Sequence, residues 1–171
     1  STLRDDLVTK ARVFQDQGYR TQAIALLQQA DQLTKQLSED SSETGLLLAQ
    51  LYFELGEYPL SLNLITRTLD QSESIAIEAR ALNILASVQS ILNDVKTATD
   101  TFACAYTASL ASGDQAMTLT VLTNHLRHEL DNKNANKSLA IGKQLLTLSS
   151  TLGVRSDTVE IQISIGDLFI R

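Results

Sequence analysis

The chain is poor in the residues that many functional classes require. Its single cysteine, Cys104, allows no internal disulfide and no cysteine-based metal cluster, and this scarcity fits a cytoplasmic setting. One proline and seven glycines in 171 residues supply too few turns for a β-rich or mixed domain of this length. The 14 Lys and Arg are scattered and outnumbered by 20 Asp and Glu, giving a net charge of −6. Phosphate neutralisation needs clustered cations, so the balance argues against direct binding of nucleic acid and against attachment to anionic membranes. No apolar run is long enough to span a bilayer, and no signal-peptide pattern is present. Neither a phosphate-binding glycine loop nor a recognisable nucleophile motif is present, and no cofactor is implied.

What is present is a period. Ala11, Ala49, Ala86, Leu126 and Gly166 recur in similar local settings, with gaps of 38, 37, 40 and 40 residues. A fixed period of this size indicates stacked equivalent units, each too small to bury its apolar face alone. Each unit carries two helical stripes around a break. Leu7, Ala11 and Phe14 precede Gly18, and Ala23, Leu27 and Ala30 follow it. Leu48, Ala49 and Tyr52 stand before Gly56, with Ser61, Ile65 and Thr68 after it. The same grammar continues through Ala86, the turn at Asn93, and Ala98, Phe102 and Ala105. It is carried on by Leu126, a turn at 131–134, and Ser138, Gly142 and Leu145. Spacings of three, four and seven residues place each set on one helical face, and the small residues let paired helices approach closely.

This grammar predicts helices near 3–17, 20–37, 42–55, 58–71, 74–92, 95–112, 115–131, 135–152 and 157–171. Pro59 falls in the first turn of its helix, where a missing N–H is harmless. Asp40 with Glu43, and Asp157 with Glu160, have capping-box spacing at helix starts. The repeats fall near 4–40, 42–73, 75–113 and 115–153, with a half-repeat at 157–171, all in one domain. Because the chain begins at Ser1 and stops at Arg171 inside a first helix, the expectation is a segment of a longer protein. Ile161, Ile165 and Ile170 would then meet a further helix.

The run Leu48-Ala49-Gln50-Leu51-Tyr52-Phe53-Glu54-Leu55-Gly56-Glu57-Tyr58, ending in Leu62 and Ile65, resembles the tetratricopeptide repeat (TPR). Ile163-Ser164-Ile165-Gly166-Asp167-Leu168-Phe169 is similar to the first helix of another repeat. The resemblance covers essentially the whole chain. It departs in lacking the usual tryptophan and closing proline, and its period exceeds the usual about 34 residues. The fold it implies is all-α, a right-handed α-α superhelix of about four and a half helix–turn–helix repeats. First helices would line a concave face that binds an extended peptide or partner helix. Carried over residue by residue, that face holds Gln50, Phe53, Arg80, Asn83, Ser87, Thr123 and Arg127, with Val8, Arg12, Gln15, Leu46, Glu54, Ile91 and Leu130 beside them. Arg80 and Arg127 suit a carboxylate, Gln50 and Asn83 a peptide backbone, and Phe53 an apolar anchor. The Lys and Asn carboxylate clamp of chaperone-binding TPR domains is not reproduced.

The reactive residue types read as structural. Cys104, between Ala103 and Ala105, reads as a small buried hydrophobe. His125 and His128 lie one turn apart beside Glu129 and read as solvated or hydrogen-bonded side chains on a polar helix face, with no third metal ligand fixed by spacing. Glu39, Asp40 and Glu43 read as a solvated loop and helix start. The expected function is therefore non-catalytic: a scaffold for a protein or peptide partner. The alternative is an internal regulatory arm that relays to an effector domain of the parent chain.

Overall fold

The computed structural model describes residues 2–37 and 39–153, and among these helices joined by short turns are the only regular secondary structure. Eight helices follow one another: α1 (Leu3–Asp16), α2 (Arg20–Gln36), α3 (Ser42–Glu54), α4 (Tyr58–Gln71), α5 (Ile75–Ile91), α6 (Val95–Ser112), α7 (Gln115–Asp131) and α8 (Ala135–Leu152). Every end lies within one residue of its position expected from sequence. The helix expected at 157–171, with its isoleucines and its Asp157–Glu160 box, lies outside the described residues.

The period is realised in the backbone. Gly18, Gly56, Asn93 and Lys133 all adopt left-handed conformations, with φ of 81°, 79°, 63° and 57°. Each closes its helix with the same two hydrogen bonds. At the second turn Gly56 N donates to Phe53 O at 3.0 Å and Glu57 N to Tyr52 O at 2.9 Å. The equivalent pairs are Gly18 to Gln15 with Tyr19 to Phe14, Asn93 to Ser90 with Asp94 to Gln89, and Lys133 to Leu130 with Asn134 to Glu129. This Schellman closure satisfies carbonyls that a helix end leaves orphaned.

Packing follows the same register. Ala11, Ala49, Ala86 and Leu126 are all buried, as are Ala23, Ser61, Ala98 and Ser138 on the helices that follow. In the α1–α2 and α3–α4 pairs the small residues allow close approach while Leu27 or Ile65 fills the space beside them. Pro59 sits in the first turn of α4 as expected.

The chain divides inside α5 into two compact units, Ser1–Ile84 and Leu85–Arg171. In the first, α1 packs on α2, α2 on α3 and α3 on α4 around Ala11, Leu27, Leu47, Leu48 and Leu51. A half-buried ion pair, Arg67 Nη2 to Asp31 Oδ1 at 3.0 Å, ties α4 to α2. In the second, α6 packs on α7 and α7 on α8 around Leu122, Leu126, Ile141 and Leu145.

Three expectations are corrected. Cys104 is exposed, not buried. Phe102 and Ala105 take the inward face of α6, and Cys104 falls between them on the outward one. Leu46 is fully buried and belongs to the packed face of α3 rather than to an open groove. Asp40 and Glu43 do not form a capping box. Asp40 Oδ1 instead accepts from Ser42 N at 2.8 Å, and α3 starts after Ser41 without a side-chain cap. The box that does form is Thr2 with Asp5 at the start of α1, a Thr-x-x-Asp pattern readable in the sequence.

Candidate functional site

The first unit contains a cleft of about 650 Å³. Its walls are α1, through Arg4, Val8 and Arg12, and the start of α3 with the segment before it, through Glu39 and Glu43. Ile77 of α5 adds apolar surface. Residues 4, 8 and 12 recur every four positions on α1, which puts them in one row.

Ion pairs join the two walls. Arg4 Nη1 donates to Glu39 Oε2 at 3.2 Å, and Arg12 pairs with Glu43. Arg4 also donates from Nε and Nη2 to Asp5 Oδ1, at 3.1 and 2.8 Å. That hydrogen bond, with those from the Thr2 backbone and hydroxyl, holds the Asp5 carboxyl down at about 2, and the same contact raises Arg4. The row continues toward the far end of α1. Gln15 Nε2 and Gln50 Nε2 both donate to Glu54 Oε1, at 3.5 and 3.2 Å, while Arg20 Nε reaches Glu54 Oε2 at 3.0 Å. Arg12, Gln15 and Gln50, placed on the binding face by sequence, thus share one polar seam between α1 and α3.

The other sequence-predicted residues fare differently. Phe53 is half-buried, its ring 6.1 Å from that of Tyr58 across the turn. Arg80 is half-buried on the first-unit part of α5, and Asn83 is buried there, which corrects its reading as an open groove amide. In the second unit Ser87 is half-buried and Arg127 exposed. Thr123 donates its hydroxyl to Leu119 O of its own helix at 2.9 Å.

The second unit holds a polar cluster that sequence reasoning misread. His125 and His128 are not solvated: they are 9% and 2% exposed, and Glu129 is 1% exposed. Leu122, His125, Leu126 and Glu129 follow the three-and-four spacing of an inward stripe, and that signal was present in the sequence. Ser90 Oγ lies 2.7 Å from His128 Nδ1, and His128 Nε2 lies 3.2 Å from Val95 O and 3.1 Å from Thr99 Oγ1. A carbonyl only accepts, so Nε2 carries the proton and Nδ1 accepts from Ser90. Thr99 Oγ1 in turn donates to Glu129 Oε1 at 2.9 Å.

His125 stacks on Phe102, ring centroids 5.2 Å apart and planes 15° from parallel. Its Nε2 lies 3.3 Å from Glu129 Oε1 but off the line of a hydrogen bond. Burial pushes His125 below its usual value, partly offset by the Glu129 charge. By distance Ser90 and His128 suggest a nucleophile and a base, but the His128 ring is closed off from solvent and so from a substrate. The cluster is a tie between α5, α6 and α7. Among the described residues no group of three His, Cys, Asp or Glu is placed to hold a metal, and no helix is long and apolar enough to cross a membrane.

Compared with known proteins, the chain matches no protein family and no curated protein.

Proposed function

We propose that this chain is a non-catalytic helical-repeat scaffold of the tetratricopeptide kind, which holds a peptide or a partner protein on the face formed by its first helices. The observation that supports this most is the fourfold recurrence of one turn, at Gly18, Gly56, Asn93 and Lys133, with one hydrogen-bond pattern. Repetition of that kind builds extended surfaces rather than a single enclosed site. On this reading the repeats wind as a right-handed superhelix. The cleft between α1 and α3 belongs to the first-helix face of the first unit, and Arg127 on α7 to that of the second.

Affinity capture from the source lysate tests it, comparing the wild type with Glu43→Arg and with Arg127→Glu at folding matched by circular dichroism. Loss of a captured protein in either variant supports recognition by the first-helix face. Retention in both moves the site elsewhere. Absence of any specific capture favours the regulatory arm.

A further inference from the structure

The cleft between α1 and α3 has a chemistry of its own, and it deepens the scaffold reading on which it rests. Its cations are outnumbered, with Arg4 and Arg12 facing Asp5, Glu39, Asp40 and Glu43. Arg4 gives Nε and Nη2 to Asp5 and Nη1 to Glu39, and Arg12 is engaged by Glu43. Its acceptors are not exhausted. A carboxylate offers about four acceptor positions. Glu39 and Glu43 keep side-chain exposures of 46% and 54% while paired. A ligand entering here meets acceptors in surplus beside the apolar surfaces of Val8 and Ile77. The charge of the unit points the same way. Residues 1–84 carry seven Lys and Arg against twelve Asp and Glu, a balance of −5 out of the −6 of the chain.

The geometry points to a basic, part-apolar peptide segment as the occupant of this cleft. A Lys or Arg of the partner donates to Glu39 and Glu43, and a neighbouring aliphatic side chain lies on Val8 and Ile77. An acidic partner would meet four carboxylates against two guanidiniums, and the net negative field of the unit. The charges steer and select, and the apolar contact supplies affinity.

Calorimetric titration of the whole chain with three blocked six-residue peptides tests this, alternating Lys and Leu, Gln and Leu, or Glu and Leu. The Lys peptide is expected to bind tightest, with an affinity that falls as salt rises. Glu39→Gln/Glu43→Gln should weaken it by roughly fivefold or more, the size two exposed ion pairs allow. Asp16→Asn/Asp70→Asn, an equal change of charge away from the cleft, should leave it unaltered. Equal weakening by both double variants would mean diffuse attraction and overturn the cleft. Tighter binding of the Glu peptide would overturn the charge assignment while leaving a peptide scaffold standing. No binding of the Lys peptide would overturn this inference alone, because capture by the whole chain judges the scaffold separately.

Discussion

Ser61 at the start of α4 donates its hydroxyl to the carbonyl of Ala49 on α3, Oγ to O at 2.8 Å, with both residues fully buried. This contact joins the two small-residue positions of one repeat. Ser138 occupies the position of Ser61 two repeats later, and its hydroxyl is buried without a hydrogen-bond partner.

The same substitution should therefore act differently at the two places. Ser61→Ala should lower stability by about 1 kcal/mol, the net worth of one hydrogen bond. Ser138→Ala should be neutral or stabilising, since it removes an unsatisfied polar group. Urea denaturation of both variants checks this, and equal losses would contradict the register.

Gly45 of α3 lies against Thr68 of α4. A Cβ built there would lie 2.8 Å from Thr68 Oγ1, which belongs to a stiff, buried β-branched side chain. Gly45→Ala should then cost about 1–3 kcal/mol despite the better helix propensity of alanine. A higher melting temperature for the variant would show that Thr68 yields freely.

The turns give a paired test. Gly56 and Lys133 have the same role at φ of 79° and 57°, but only Gly56 lacks a Cβ to strain. Gly56→Ala should destabilise by about 1–2 kcal/mol. Lys133→Gly should stabilise, by less, because glycine also loses more freedom on folding. Thermal melts of the two variants decide it.

The buried His125 makes the second unit sensitive to acid. Its folded pKa lies below the ordinary 6.5, so the unfolded chain binds the proton more readily. The stability it contributes is fully present above pH 6.5 and drains away as pH falls from there toward the lowered folded value. Glu129, His128 and Lys137 are the charged or titratable groups that act on it. In melts between pH 5 and 8, the wild type should lose stability below pH 6.5 more steeply than His125→Gln. Parallel curves would contradict this.

Much of the helical architecture was legible because it rests on local signals. Apolar spacing set the helices, and the break residues set the turns, even at Asn93, where the side chain tolerates left-handed backbone. The polar interior was less legible. His125 and Glu129 lie on the inward stripe, but their residue types suggested solvent, and only their neighbours on α6 make burial tolerable. Cys104 misled in the opposite way, because its hydrophobic type outweighed its outward position. At the candidate site, Arg12, Gln15 and Gln50, expected on a concave binding face, lie on a polar seam between α1 and α3. Their carboxylate partners are 31 to 39 residues away or one turn on, and spacing within a single helix does not reveal the distant ones.

The central claim is that the first helix of each repeat forms the binding face. Hydrogen–deuterium exchange on the chain, alone and with a partner that it captures, tests this most directly. Added amide protection is expected in α1, α3, α5 and α7, with little change in α2, α4, α6 and α8. Protection concentrated in the second helices, or spread evenly over all eight, would contradict it.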